Sequence, residues 1–342
     1  MTNPPEKRPK FADEKRIGPR SKNKLFLLGI FFLGVEVGFL LHGMGVFKER
    51  REDYFRLVRL YPEGDHLVNP LMQVEGPPGG DAKLESAKKS LESYINRCIK
   101  NGEVSTVSVY LKDLNKATWI GINEDERFTI ASLAKVPILF TFLLRAQKDP
   151  SILNKEIKYE TEIKSPVHQN IAPRNNLELG KSYSVDELLR HMIVYSDNTP
   201  MFLLADDVDT NLVAQLFRDL RLSVPRPHSD YEISAKDYAR YFRLLYSATY
   251  LNKDSSEKAL TLLTQTDFDE GIVAGVPKGI TVADKFGERV DPVGGDQLHD
   301  CGIVYYPKSP YLICVMTKGW NLDTLKGVIQ NISRIAYEHK NS

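Results

Sequence analysis

The run "LFLLGIFFLGVEVGFLL", residues 25–41, divides this chain before any other feature can act. A stretch so long and so apolar is poorly suited to water and reads as a membrane segment. Eight lysines and arginines against three acids precede it in residues 1–24, the bias that holds an N-terminus on the cytoplasmic side of a membrane. The pattern predicts a basic tail at 1–24, a signal anchor over 25–47, and everything C-terminal to it outside the cytoplasm. A cleaved secretory signal peptide is the alternative; its apolar core would be longer than usual, and only Gly43 and Gly45 offer a small-residue cleavage site. Glu36 in mid-span is costly unless shielded, and Gly34 with Gly38 forms a GxxxG pair through which two such helices could dimerise weakly. A lone tolerated acid is the plainer reading.

Residues 48–80 read as a juxtamembrane linker, charged at first and then broken by "EGPPGGD". The remaining stretch, 81–342, is the length of one large domain, and no internal repeat is visible in it. A formal net charge of +1 over the whole chain argues against a nucleic-acid partner. His168, His191, His228 and His299 lack metal-ligand spacing, so neither a metal nor a cofactor site can be read from them. Of the three cysteines, Cys98 falls on the apolar face of a helical pattern and suits a buried small hydrophobe. Cys301 and Cys314 lie in two strand-like runs equidistant from a Pro307-Lys308 turn, so they could face each other across a hairpin, as a disulfide in an oxidising compartment or as two buried thiols.

Within the domain, apolar residues at helical spacing (Leu84, Ala87, Leu91, Tyr94, Ile95, Cys98) predict a helix from about Asp81 to Asn101, with Gly102 as its stop. Two strands, "VSTVSVYL" and "ATWIGI", come next around a turn-rich "KDLNK". A helical middle includes starts at Ser184 with Glu187 and at Ser234 with Asp237. Strands return at "GITVADK", "CGIVYYP" and "YLICVMT", and a helix over about Leu322 to His339 closes the chain. The expected architecture is α+β: one antiparallel sheet flanked by N- and C-terminal helices, with an inserted helical subdomain.

Candidate chemistry begins at "RFTIASLAKVPILF", where a lysine stands three residues after a serine at the start of an apolar helix. The Ser-x-x-Lys spacing alone carries little, since it occurs at Ser21, Ser86, Ser132 and Ser255. Ser21 lies in the basic tail, Ser86 on a charged helix face and Ser255 in a polar stretch; only Ser132 opens an apolar helix, with Lys135 one turn on. A lysine desolvated there, near other cations, has a lowered pKa and a neutral amine able to take the serine proton. Two further groups lie downstream. Ser196, Asp197 and Asn198 of "YSDNTP" sit in a break between helices, a spot that a plain turn or cap would also explain. In "ADKFGE", Lys285 ends a strand and Gly287 leaves room for a backbone to approach.

In this order, Ser132-x-x-Lys135, Ser196-Asp197-Asn198 and Lys285-x-Gly287 resemble the active-site set of the penicillin-recognising serine enzymes, the class A β-lactamases and penicillin-binding proteins. The resemblance runs from about Asp81 to the C-terminus and is greatest to the class A group. It implies a β-lactamase/transpeptidase-like fold, no cofactor, and an acyl-enzyme mechanism on a β-lactam or cell-wall peptide. Ser132 would be the nucleophile and Lys135 its base; Ser196 would relay a proton, Asn198 would orient substrate, and Lys285 would supply positive charge. The backbone N–H groups of Ser132 and Glu288 would hold the oxyanion.

Two departures stand out. The family usually has a hydroxyl residue where this chain has Phe286, which weakens the case for penicillin and suggests a more apolar acyl group. The Glu-x-x-Leu-Asn stretch that activates the deacylating water in class A enzymes is absent. Glu232 reads as a charge at the start of a helix, and slow deacylation is expected unless Asp230, Glu232 or His228 takes over. The expectation is a membrane-anchored extracytoplasmic serine hydrolase of class A type, with a D,D-carboxypeptidase or transpeptidase and a non-hydrolytic sensor as alternatives.

Overall fold

The structure is a computed structural model that describes residues 67–69, 79, 81–116, 118–163, 169–226, 230–307 and 309–341. All of them belong to one compact unit, 62–342. The proposed tail, the anchor and the Gly34–Gly38 pair lie outside the described residues, as does most of the linker.

Helix α1 (Ala82–Lys100) starts where Asp81 accepts the Lys83 N–H, and it buries Leu84, Ala87, Leu91, Ile95 and Cys98. Strands β1 (Thr106–Asp113) and β2 (Trp119–Ile122) form the expected hairpin, followed by the short β3 (Arg127–Thr129). A 3₁₀ turn, Ala131–Ala134, then runs into α2 (Lys135–Ala146), whose side chains are buried almost all round, as befits a helix through the centre of a domain. The small pair β4 (Glu156–Lys158) and β5 (Ser182–Ser184) precedes α3 (Val185–Val194), where Ser184 and Glu187 close a complete capping box. Short α4 (Thr199–Leu203) and α5 (Thr210–Asp219) lead to β6 (Glu232–Ser234). Next come α6 (Ala235–Ser247), capped by Ser234 as its sequence suggests, and α7 (Lys253–Leu263). Strands β7 (Val282–Arg289), β8 (Asp296–Val304) and β9 (Tyr311–Gly319) and helix α8 (Leu322–Asn341) complete the domain.

The five-stranded antiparallel sheet has the order β2-β1-β9-β8-β7, which joins the N-terminal hairpin to the C-terminal meander. Strand alternation sorts the two cores. On β9, Ile313 and Val315 face a cluster with α1 and α8, while Leu312, Cys314 and Met316 face a larger one built by α2, α3, α6 and α7. The chain is therefore helices, sheet, helices, with β7 left as the edge strand beside the turn that carries Ser132.

The register sets Cys301 directly against Cys314, and the two form a disulfide inside the larger core, while Cys98 stays a free, buried thiol. Closing a loop across a sequence separation of 13 removes freedom from the unfolded chain worth about 3 kcal/mol. A Cys301→Ala/Cys314→Ala variant should accordingly lose about 2–4 kcal/mol in denaturant unfolding. Equal midpoints for the variant and the oxidised parent would show that the bridge contributes nothing.

Candidate active site

Ser132 is placed by a strained turn. Strands β3 and β6 pair as a two-stranded ribbon, Thr129 opposite Glu232, and the chain then turns sharply at Ala131, whose φ of 48° lies in the left-handed region. A residue with a Cβ costs about 1 kcal/mol or more in that conformation, and the burial of Leu133, Val136 and Leu139 beneath it offsets that cost. The Tyr238 hydroxyl, itself fully buried, donates to the Leu133 carbonyl and pins the turn from below. Ser132 is left partly exposed at the rim of a cavity of about 230 Å³, lined also by Lys135, Gln169, Asn198, Glu288 and Arg289.

The second group is held by another left-handed residue, Ser196, with φ 52°, just past the end of α3. Asp197 accepts the Thr199 N–H at 2.8 Å, and Asn198 immediately precedes α4, with Pro200 just inside that helix. This turn presents both oxygens of Ser196 to buried amines. Lys135 Nζ donates to the Ser196 carbonyl at 2.6 Å and lies 3.2 Å from Ser196 Oγ. Lys285 Nζ reaches the same Oγ at 2.9 Å and the Phe286 carbonyl at 3.0 Å.

Two lysines thus meet at one hydroxyl, with Lys135 at 1 % and Lys285 at 0 % exposure. Their surroundings push them apart electrically. Burial first, and then the charge of Lys285, hold the Lys135 amine well below the ordinary lysine value, against the smaller opposing pull of Asp197 and Glu288. Burial also draws Lys285 down, but only to about 8, because Asp284, Asp300 and Asp267 support its charge. Asp284 and Asp300 are themselves buried behind it, one bound by Thr266 Oγ1 and the other by the Ile272 N–H. Burial pushes Asp300 up to about 6 and Asp284 well above the carboxylate range, the charge of Asp300 adding to the latter. Both amines around the Ser196 hydroxyl are thus drawn below the ordinary lysine value, Lys135 by burial and by the charge of Lys285, Lys285 by burial against the support of its acids.

Strand β7 completes the site through an absence of side chain. A Cβ on Gly287 would stand 3.1 Å from the Leu133 nitrogen and 3.2 Å from that of Ser132, so any larger residue would press this edge and the turn apart by a few tenths of an ångström. Glu288 is next, 4 % exposed, its Oε1 accepting the Ile171 N–H at 2.9 Å. Gln169 donates to the Ser196 carbonyl at 3.2 Å, so the segment from 169 to 171 straps the cavity between its two sides.

Ser132, Lys135, Ser196, Asn198, Lys285, Gly287 and Glu288 come together in space here. One contact differs: no hydrogen bond joins Ser132 Oγ to Lys135 Nζ, because the Ser196 carbonyl is a closer acceptor and directs the amine. Phe286 corrects another expectation. Its ring stacks on Phe268 at 4.2 Å within the core under α1 and α8, and does not line the cavity, so it offers no apolar subsite for an acyl group. Glu232 is exposed on β6 and does not line the cavity; Asp230 does, bound by both guanidinium nitrogens of Arg289 at 3.2 and 3.0 Å; His228 lies outside the described residues. Among the described residues no three His, Cys, Asp or Glu side chains gather as ligands of a metal ion would. Gln169, Arg289 and the Asp284–Asp300 pair carry no sequence signal beyond the Asp that precedes Lys285.

Ser132 stands one helical turn before the buried Lys135, on a scaffold of helices around one antiparallel sheet. Residues 89–340 match the family model described as the beta-lactamase enzyme family, and the chain belongs to that family. It is 26% identical over 222 residues to a beta-lactamase of Proteus vulgaris, covering 60% of this chain and 76% of that protein. In fold it is similar to PBP-A (TM-score 0.64, 21% identity, 78% of this chain and 98% of that one). It is also similar to a class A beta-lactamase from Mycobacterium abscessus (TM-score 0.62, 24% identity, 75% and 100%).

The tight passage of β7 makes a specific demand. Gly287→Ala should cost about 1–3 kcal/mol of stability and slow labelling of Ser132 by a β-lactam about tenfold or more, because it displaces the turn that aims the hydroxyl. Intact-mass kinetics on the folded variant read this; an unchanged rate would show that the close approach is irrelevant to reactivity.

Proposed function

We propose that the protein forms a covalent acyl-enzyme at Ser132 with a β-lactam or a related amide or ester, and releases it slowly. The observation that carries this reading is the Lys135 amine, buried between Ser196 and Lys285 and drawn well below the ordinary lysine value by that burial. In acylation Ser132 Oγ attacks the carbonyl carbon while the carbonyl oxygen is held by the N–H groups of Ser132 and Glu288. Lys135 takes the hydroxyl proton as that bond forms. The C–N or C–O bond then breaks, and the proton passes by way of Ser196 to the leaving atom. Lys135 must swing from the Ser196 carbonyl toward Ser132 for this, a tightening common between free and substrate-bound sites. Lys285 keeps the Ser196 hydroxyl oriented, and Asn198 faces the substrate from the opposite wall.

Slow release is the consequence of how the nearby carboxylates are engaged. Asp230 is held by Arg289, and Glu288 by the Ile171 N–H, so neither is poised to activate a water. This also favours a second reading, a penicillin-binding D,D-peptidase whose natural acyl group leaves to another acceptor. A variant of PBP-A, similar in fold, is described as an acyl-enzyme complex with penicillin G.

We further place the domain outside the cytoplasm, anchored through residues 25–47. Support comes from the apolar run with its basic flank and from the Cys301–Cys314 disulfide, a bond that persists in oxidising compartments. Among the described residues no helix is long and apolar enough to cross a membrane, and the run at 25–41 is not one of them.

Incubation with benzylpenicillin should add one acyl group to the protein, none to Ser132→Ala, and should proceed at least about 10²-fold more slowly in Lys135→Met. The adduct should outlast removal of excess penicillin. Labelling that survives Ser132→Ala would end the proposal, and rapid turnover of a chromogenic cephalosporin would end its slow-release half.

A further inference from the structure

The turn that carries Ser132 is gripped from the sheet by two side chains that take no part in the proposed chemistry. Thr129, three residues before Ser132 on the cavity wall, pairs with Glu232 along one edge of β3. Its backbone N–H donates to Gln297 Oε1 at 3.0 Å, and its carbonyl lies 3.1 Å from His299 Nε2. A carbonyl only accepts, so Nε2 carries the imidazole proton and donates it. Gln297 and His299 stand two apart on β8, hence on one face, and their register partners on β7 are Arg289 and Gly287. His299 is fully buried, edge-on to the Phe128 ring at 5.4 Å, and burial draws its pKa down to about 4, which keeps it neutral. Its Nδ1 is buried without a partner among the described residues, a cost to stability that an apolar side chain would not carry.

We propose that Gln297 and His299 are positioning residues that hold the backbone of Thr129 and through it aim the Ser132 hydroxyl and the Ser132 N–H that would hold the oxyanion. This rests on the acyl-enzyme reading above and adds to it what fixes the nucleophile. The need arises at Ala131, whose left-handed backbone persists only where the chain is fixed on both sides of it. Downstream, the Tyr238 hydroxyl holds the Leu133 carbonyl. Upstream, the Ile130 N–H donates to the Tyr231 carbonyl, and Thr129 is held at both of its backbone polar groups. Freed from β8, the turn can relax toward an unstrained φ, and a shift of about 1 Å at a reacting atom can cost about 10²-fold in rate. Neither residue is among the described lining of the cavity, so the loss falls on the reactive step and not on entry of the donor.

Acylation of Ser132 by benzylpenicillin is followed on the full chain by intact mass over a range of donor concentrations, which separates the limiting rate from the half-saturating concentration. His299→Leu removes the donor to Thr129 and Gln297→Met removes the acceptor. Each should lower the limiting rate about tenfold or more and move the half-saturating concentration by less than about twofold. His299→Gln keeps an N–H near the place of Nε2, and Gln297→Glu keeps the accepting oxygen, so each should run within about threefold of the parent. Thermal unfolding of every variant separates aim from stability: a merely structural role would lower the unfolding temperature and leave the limiting rate of the folded protein intact. The proposal is overturned by a folded His299→Leu or Gln297→Met that acylates at the parent's limiting rate. A change confined to the half-saturating concentration overturns it too, as does a His299→Gln protein no faster than His299→Leu. Should His299→Leu fail to fold, Gln297→Met, at the less buried of the two positions, decides alone. A parent that benzylpenicillin does not label ends the acyl-enzyme reading and this proposal with it; a labelled parent whose variants keep its rate ends only this one.

Discussion

A primary amine buried where water cannot support its charge is the constraint around which this site is arranged. Lys135 loses its hydration on entering α2, and a second buried lysine stands on the far side of the Ser196 hydroxyl. Both effects favour the neutral form, and either alone would leave the amine less completely discharged. Lys285 is drawn down as well, but only to about 8, because acids behind it, Asp300 and Asp267 among them, support its charge. Like residues sharing one hydroxyl are thereby shifted to different extents by what surrounds each of them.

The scaffold delivers these groups by close backbone approach more than by side-chain packing. Ala131 and Ser196 both sit in left-handed conformations, one turning the chain into Ser132 and the other turning two oxygens toward the amines. Gly287 admits the edge of the sheet to within contact of the first turn. Strain of this sort persists only where the surroundings fix it, and here they do so through the apolar core under Leu133 and the bond that Asp197 accepts from the Thr199 N–H. The strap from Gln169 to Ile171 then ties the two halves of the cavity together.

Much of this was legible in the sequence because it is local. Helical spacing gave α1 and α8 nearly to the residue, the capping pair at Ser184 and Glu187 marked the start of α3, and the hairpin arithmetic around Pro307 set Cys301 opposite Cys314 while leaving open whether they bond. The three motifs were visible as spacings, and their convergence was implied by their order along a familiar plan. Other features depend on partners distant in sequence. Lys135 chooses the carbonyl of Ser196, 61 positions on, over the hydroxyl one turn away. The β3–β6 ribbon joins segments too short to announce themselves by periodicity. Phe286 suggested a more apolar acyl group because a sequence shows which residue comes after Lys285 and not which side of the sheet it takes.

The charge of Lys135 is the point on which everything else turns, and it can be observed directly. Carbon-13 at lysine Cε, assigned by comparison with Lys135→Met, reports whether each amine is protonated as pH is varied. The account predicts one resonance, missing in that variant, that already shows the neutral amine at pH values where other lysines are fully charged. A Lys135 signal that titrates with the exposed lysines, near the ordinary value of 10.5, would contradict it.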